Sequence, residues 1–416
     1  MSRPPATGQT SPPPNLATGR YFCPVALPWF RFLHDDAGLN PIRRKIFLNR
    51  ENVGRGRSPL RIASYALRWP VIATYKAWQG TRVAGRRLVA RGGPSRLAQL
   101  GQMIYLALSN NFTANSYYRF GLWEREQRQH ADAFLQGIES HQLLYQLHLK
   151  HDVSYLDDKT ETFQRCDAAG LPTPPVLVEL RKDAAPRWLA AATLPPEDLF
   201  IKPADLADGR GASRWLYAGI DQRWSNGKVS LKADELLARE HQSGGSNRLI
   251  VQPRVENHRD IQALSGISLC TLRVVTCRIP QQPSRFFRAM FRMPVGNVVT
   301  DNMETGGIAA PLLEHGRLGL ARDLETQTFS HHPDTDARIE GIVLPGWRDM
   351  LALATRAHDT IGVDGIIGWD IAYSPNGAIL IEGNPRGSLE GIQTVYGERL
   401  GETEFPELIR RLGFLD

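Results

Sequence analysis

IIGWDIAYSPNGAILIEGNPRG, residues 366–387, decides how the rest of the chain is read. Two runs rich in Ile, Trp and Tyr flank the turn signal Ser374-Pro375-Asn376-Gly377, and such a pattern predicts a β-hairpin. Three polar side chains interrupt the runs: Asp370 on the first strand, Glu382 and Asn384 on the second. Strand side chains alternate between faces, so Glu382 and Asn384 point the same way. With a three-residue loop at 375–377, Ser374 pairs with Ala378, and counting outward brings Asp370 opposite Glu382. Like charges directly opposite each other destabilise a hairpin, and burial makes the pair worse. Two carboxylates and an amide oxygen converging on one spot are accounted for by a hard divalent cation such as Mg²⁺, which takes oxygen ligands and leaves room for waters and phosphates.

The chain has 416 residues, enough for two or three domains, with 42% apolar and 22% charged residues as expected of a globular protein. No apolar run approaches the length that spans a bilayer. Met1–Asn15 is rich in Pro, Ser and Thr, lacks an apolar core and reads as a disordered tail, taken as 1–20. Cys23, Cys166, Cys270 and Cys277 are scattered with no CxxC pair, so neither a zinc site nor a disulfide framework is indicated, and a reducing, cytoplasmic setting fits.

The net charge of +7 is uneven. Residues 41–100 hold fourteen Arg/Lys against one acid, Glu51, a local balance of +13 that leaves the rest of the chain at −6. With no helix-turn-helix cue, zinc spacing or aromatic sheet motif, nucleic acid is not an expected partner. The asymmetry reads as a basic module attached to a neutral or acidic body. Residues 20–58 are expected to be irregular. Residues 59–90 read as helical, with Pro70 kinking or dividing them. Their mixture of Trp and Tyr with Arg68, Arg82, Arg86 and Arg87 suits either peripheral contact with an anionic membrane, through residues 41–100 and at its inner face, or a helix packed on its own domain with a solvated Arg face. The pattern from Leu122 to Lys150 predicts continued helix, which sets a helical region at 21–150 ahead of a catalytic body at 151–416.

From His151 onward short strand-like runs alternate with turns. A helix is expected over Thr160–Ala169, stopped by Gly170-Leu171-Pro172. The strand Leu199–Pro203 ends on Lys202, and the loop after it carries Gly209 and Gly211. Such a loop suits either a flap whose backbone amides approach phosphates or a plain surface hairpin. The strand Leu249–Val255 could offer backbone groups to a base edge. Arg273 lies inside the strand Leu272–Thr276 and needs an anionic ligand or a carboxylate. Asn302 followed by Gly306-Gly307 can place backbone amides near a ligand.

Taken together, Leu156-Asp157-Asp158-Lys159, Ile201-Lys202-Pro203 with its glycine loop, Val251–Val255, Leu272-Arg273-Val274-Val275-Thr276, Gly306-Gly307, and Gly368-Trp369-Asp370 followed by Ile381-Glu382-Gly383-Asn384 resemble the ATP-grasp superfamily. The branch is similar to that related to α-L-glutamate ligases and found with sugar-transfer genes. The resemblance covers roughly residues 100–412. It implies an α+β, ATP-grasp fold, two α+β subdomains with antiparallel sheets gripping ATP, preceded by the helical N-terminal region and with a nucleotide-covering subdomain at about 172–255.

The resemblance also implies roles. Lys159 and Lys202 would contact ATP phosphates, Gly209 and Gly211 would cover the triphosphate, and Gln252–Val255 would line the adenine pocket. Arg273 would face the γ-phosphate or an acyl phosphate, Asn302, Gly306 and Gly307 would lie near substrate, and Asp370, Glu382 and Asn384 would hold Mg²⁺. Gln252-Pro253 stands where an acidic residue often precedes the adenine hinge, and Glu256 is the nearby acid that could take its role. The implied chemistry joins a small-molecule carboxylate to an amine that belongs to a sugar, an amino acid or a peptide, with ADP released. Phosphotransfer to a hydroxyl and a non-catalytic, membrane-associated nucleotide-binding module are the competing readings.

Overall fold

The computed structural model describes residues 22–54, 58–182, 184–190, 192–205, 211–243, 247–266 and 268–415. The tail expected at 1–20 lies outside them. The chain divides into two compact units, residues 1–136 and 137–414, with Leu415 grouped with the first. The division falls at Gln136, ahead of the compositional change at His151.

The first unit is helical. It contains α1 (Asn40–Gly54), α2 (Pro59–Gly80), α3 (Ala84–Ala90), α4 (Arg96–Asn110), α5 (Ala114–Arg119) and α6 (Arg125–Gln129). The irregular stretch expected over 20–58 is therefore replaced in large part by α1. Its cause is a row of apolar residues at helical spacing, Ile42, Ile46 and Phe47, all buried. Phe47 stacks on Phe32 at 4.9 Å and meets Phe22 at 5.4 Å. α2 runs through Pro70 without interruption, so the proline does not divide the helix. It packs on α4, where the Trp69 indole donates to the Ala107 carbonyl at 3.1 Å. Ser95 and Thr113 cap α4 and α5 by accepting from Ala98 N and Ser116 N.

The continuous helix expected from Leu122 to Lys150 is not found. α6 stops at Gln129, a single 3₁₀ turn follows, and Phe134 is extended. The buried guanidinium of Arg43 explains the break, because it takes the Asp132 carbonyl at 2.7 Å and also the Phe134 carbonyl, drawing both out of any helical ladder.

The second unit begins with α7 (Gly137–Leu147) and α8 (Lys159–Ala168). Asp158 caps α8 by accepting from Thr160 N and Glu161 N. Among the described residues two sheets of seven strands follow, every pairing antiparallel. The first holds β1 (Val178–Arg181), β2 (Arg187–Trp188), β3 (Leu199–Pro203), β4 (Ser213–Tyr217), β5 (Trp224–Ser225), β6 (Ser230–Leu231) and β7 (Arg248–Pro253), with β1, β7, β3 and β4 at its centre. One face carries Val178, Leu199, Ile201, Trp215 and Val251 into a core closed by α9 (Ala233–Ser243). Alternation along β3 then turns Lys202 to the other face, as the period of two requires.

The second sheet runs β12-β11-β10-β9-β8-β13-β14. Its strands are β8 (Thr271–Arg278), β9 (Arg285–Met293), β10 (Ile308–Pro311), β11 (Ala321–Arg322), β12 (Thr328–Phe329), β13 (Gly365–Ser374) and β14 (Gly377–Asn384). α10 (Trp347–Ile361) lays Met350, Leu353, Ala354 and Ala357 on one face, against Val274, Trp369 and Ile371. Gly316 and Gly346 sit at positive φ, 75° and 66°, where a Cβ would strike the rings of Trp347 and Tyr373. α11 (Leu389–Tyr396) and α12 (Phe405–Arg411) complete the unit. No helix among the described residues is long and apolar enough to cross a membrane.

Candidate active site

The β13–β14 hairpin differs from its expected form in one detail that leaves its outcome unchanged. Ser374 pairs with Gly377, so the loop has two residues, and simple counting would set Asp370 against Ile381. A β-bulge intervenes: Ile371 pairs with Leu380, Ile381 is the extra residue, and Asp370 pairs with Glu382 after all. Asn384 follows opposite Gly368. A bulge re-aims the residues beside it, and here it turns Glu382 to the same side as Asp370.

Asp370 is buried on a strand enclosed by β8 and β14. Register explains what holds it there. Arg273 on β8 is its direct cross-strand neighbour, and Arg292 on β9 lies opposite Thr271, one step along the same face. The Arg273 Nε donates to Asp370 Oδ1 and its Nη2 to Oδ2 at 3.0 Å. Arg292 Nη2 reaches the same Oδ2 at 2.8 Å. Burial pushes the Asp370 carboxyl up, but Arg273 and then Arg292 outweigh it and hold the group well below the ordinary carboxylate range. Of the two uses read for Arg273, the carboxylate is therefore present in the structure. Arg273 Nη1 also donates to the Ser388 hydroxyl.

The network extends to two residues that sequence reasoning did not select. Arg292 Nη2 lies 3.4 Å from Asp301 Oδ1, and Asp301 Oδ2 accepts from Thr271 N at 2.8 Å and from its hydroxyl at 2.5 Å. Burial pushes the Asp301 carboxyl up, with Arg292 opposing. Arg292 feels burial too, but Asp301 and Asp370 hold its pKa above the ordinary value. The sequence signal was available: an arginine four residues after Arg288 in RFFRAMFRM, and an acid before the Asn302–Gly307 turn.

That turn has a structural task of its own. The Asn302 side chain accepts from Glu304 N at 3.0 Å and caps a short 3₁₀ turn, Gly306 takes φ 104°, and Gly307 N returns to the Asn302 carbonyl. A Cβ on Gly307 would sit 2.7 Å from the Asp301 carbonyl oxygen. The three residues thus fix the backbone that delivers Asp301.

Lys159, Lys202, Gln252 and Glu382 line one narrow cleft, with Leu156, Phe163 and Ile381 among its apolar walls. Each arrives on a different element: Lys159 on the first turn of α8, Lys202 at the end of β3, Gln252 near the end of β7 and Glu382 beyond the bulge. Lys159 Nζ is 3.9 Å from Glu382 Oε2. Burial pulls the Lys202 ammonium down to about 8, with Glu382 opposing. Gln252 donates to the Pro174 carbonyl at 2.8 Å and so ties β7 to the segment after α8. The remaining expected contacts lie elsewhere. Val255 and Glu256 do not line this cleft, and the Glu256 carboxylate is exposed, 3.9 Å from Arg254. Gly211 has φ 76°, and Gly209 lies outside the described residues.

The donor set suits a hard cation in one respect and limits it in another. Asp370, Glu382 and Asn384 offer only oxygens toward a metal, which fits Mg²⁺ and not a soft ion. Three guanidinium N–H groups already occupy Asp370, leaving about one of roughly four lone-pair sites on its oxygens. Glu382, part-exposed and beside Lys159, Lys202 and Asp370, has more free capacity than Asp370. The Asn384 Oδ1 accepts from Arg386 N at 2.8 Å and keeps a second lone pair. The residues fit one Mg²⁺ held chiefly by Glu382. No group of three His, Cys, Asp or Glu with metal-binding geometry occurs among the described residues, so this set depends on its amide and on what a ligand adds.

The structure is similar to that of the VanG D-Ala:D-Ser ligase from Enterococcus faecalis, at 14% identity over 63% of this chain and 62% of that one, with a TM-score of 0.38. It is also similar to the D-alanine–D-alanine ligase from Bacillus anthracis complexed with ATP, at 11% identity over 62% of this chain and 66% of the other, with a TM-score of 0.37. The chain thus spans less than two thirds of the length of these ligases. No curated protein matches the sequence. The family model described as sugar-transfer associated ATP-grasp matches residues 139–404, nearly the whole second unit, and the chain belongs to that family.

Proposed function

We propose that this chain is an ADP-forming carboxylate–amine ligase acting on small, sugar-linked substrates in polysaccharide or cell-surface glycoconjugate synthesis. The observation that carries the reading is the convergence of Lys159, Lys202, Gln252 and Glu382 on one cleft, with the Arg273–Asp370 pair adjoining Glu382 across the strands. Two ammonium groups and a guanidinium around one carboxylate suit a triphosphate accompanied by a cation. In the reaction, a substrate carboxylate oxygen attacks the γ-phosphorus and ADP leaves. The amine nitrogen then attacks the acyl carbon, phosphate departs, and the nitrogen loses a proton.

The reading assigns each residue a part. Lys159 and Lys202 bind and orient the phosphates. Gly209 and Gly211 are assigned to a loop covering the phosphates. Gln252, Val255 and Glu256 are assigned to the adenine side. Arg273, anchored on Asp370 and Ser388, is assigned to the transferred phosphoryl group. Asn302, Gly306 and Gly307 are assigned to the substrate side through the backbone they shape. Bound by Asp370, Glu382 and Asn384, Mg²⁺ would spread the developing phosphoryl charge. Leu156, Phe163, Leu380 and Ile381 give the cleft an apolar side beside its charged groups.

The reading is of a cytoplasmic enzyme with peripheral contact at an anionic membrane face through residues 41–100. The deciding experiment is ADP release over a panel of amino acids, uronic acids and amino sugars, followed by product mass. An amide product supports the ligase. A phosphorylated alcohol or sugar would replace it with a phosphotransferase. ATP binding with no ADP under any pairing would leave a non-catalytic nucleotide-binding module.

A further inference from the structure

α2 is apolar on two opposite sides. Trp69, Ala73 and Ala77 face inward and are buried. Leu60, Leu67, Val71 and Trp78 recur at spacings of seven, four and seven, so they project from one side, and Tyr75 borders them. That side faces solvent: Leu60 is 82% exposed, Leu67 81% and Val71 72%. Single exposed apolar residues need no explanation, but a stripe five turns long does. Near its end Val71, Tyr75 and Trp78 form an open apolar groove with Leu100 of α4.

The charge around the stripe identifies its occupant. Between Ser58 and Trp123 the chain has nine Arg or Lys and no Asp or Glu. The cations are set against the rings of the stripe itself: Arg82 lies 4.9 Å from the Trp78 ring centre and Lys76 lies 5.1 Å from that of Tyr75. Arg61 and Arg68, both exposed, flank it. A nucleic acid would match the cations and gain nothing from Leu60, Leu67 and Val71. A lipid surface matches both, because acyl chains take the Leu and Val side chains while Tyr, Trp, Arg and Lys lie at the depth of the headgroups.

We infer that α2 is an interfacial helix whose outer stripe enters the headgroup–acyl boundary of a bilayer rich in anionic lipid. This deepens the peripheral-contact reading above by naming the face, and it does not depend on the chemistry of the cleft. The helix lies in the plane of the bilayer, since none among the described residues can span it.

The test uses the full chain and sedimentation with vesicles. Binding is expected to vesicles of phosphatidylcholine with about 30% phosphatidylglycerol, weakening as salt rises, and much less to phosphatidylcholine alone. An arginine near an anionic surface is worth about fivefold in partitioning, so Arg61→Gln/Arg68→Gln/Arg82→Gln should weaken binding about a hundredfold. Leu67→Glu/Val71→Glu should weaken it at least as far while leaving thermal unfolding unchanged, because both side chains are solvent-exposed already. Loss in both variants supports the inference. Absence of wild-type binding, or binding that survives Leu67→Glu/Val71→Glu, overturns it. It is also overturned if light scattering shows a wild-type dimer that this pair makes monomeric, since a second copy then covers the stripe. Binding that emerges only after removal of residues 1–21 would equally overturn it, the chain's own segment being the occupant. ATP turnover without vesicles should be unchanged in both variants. Failure of the ligase reading would appear as absent turnover in the wild type and leave vesicle binding fully interpretable.

Discussion

Replacing Arg292 with Met removes the one guanidinium that Asp301 and Asp370 share while keeping most of the apolar volume. The consequences for the two carboxylates differ. Asp370 keeps both contacts from Arg273, including the 3.0 Å bond from Nη2. Asp301 keeps only the Thr271 amide and hydroxyl, and the 2.7 Å bond from Arg292 to that hydroxyl is lost. Removing one partner of a buried ion pair costs about 3–5 kcal/mol, mainly because a charge is left buried without compensation. With Thr271 still donating to Asp301, the lower end applies, so about 3 kcal/mol is expected. Adding Asp301→Asn takes away the stranded charge and should return about 2 kcal/mol, although each change alone destabilises. Urea unfolding followed by far-UV circular dichroism measures both, read as midpoint shifts at constant slope. A single-variant cost below about 1 kcal/mol, or a double variant less stable than Arg292→Met, would refute the account of this network.

Three further outcomes follow from the same geometry. Glu382→Gln should abolish ATP turnover with thermal unfolding little changed, since the carboxylate is part-exposed and its ion pair with Lys159 is long, at 3.9 Å; near-wild-type ADP release from the folded variant would count against the metal role. The Lys202 ammonium, pulled down to about 8 by burial, loses its charge as pH rises through that value, so kcat/KM for ATP should fall above pH 8. Lys202→Arg should move that fall out of the accessible range because a guanidinium stays protonated, and a limb persisting in the variant would assign it to another group. Gly307→Ala drives a Cβ to 2.7 Å from a backbone oxygen and should cost about 1–3 kcal/mol, read as a lowered melting temperature; an unshifted melt would show that the turn yields freely.

Much of the second unit was legible because its signals are local. Alternation in Leu199–Pro203 and in the hairpin gives both strands and the facing of Lys202 and Asp370. The Asp158 cap and the Gly170-Leu171-Pro172 stop give α8 almost to the residue. What was not legible depends on distant partners. α1 needed Phe22 and Phe32 to be known as its packing surface. The break after α6 depends on Arg43, which lies about ninety residues away in sequence from the carbonyls it binds. Arg292 and Asp301 gain their meaning only from a strand order that sets β9 beside β8 and β8 beside β13.

The hairpin shows how a correct pairing can rest on an incorrect turn. The Asn376-Gly377 signal favours a two-residue loop, and that loop forms. Left alone, it would place Ile381 opposite Asp370 and send Glu382 to the face that holds Trp369 and the α10 core. Burying a carboxylate among Met350, Leu353 and Ala354 has no compensation there, whereas Ile381 as an extra, part-exposed residue can line the cleft at little cost. The bulge therefore follows from the energetics of the two faces and not from the turn. Deleting Ile381 should remove the bulge yet leave Glu382 opposite Asp370 and Asn384 opposite Gly368, since Ile371 already pairs with Leu380, and should cost little beyond the loss of one Ile side chain. Deletion of a residue from the Pro375-Asn376 loop should be the harsher change, because the Ser374–Gly377 pair is lost and the turn must be rebuilt. If the Ile381 deletion proves the more damaging, the register does not follow from the chemistry of the two faces.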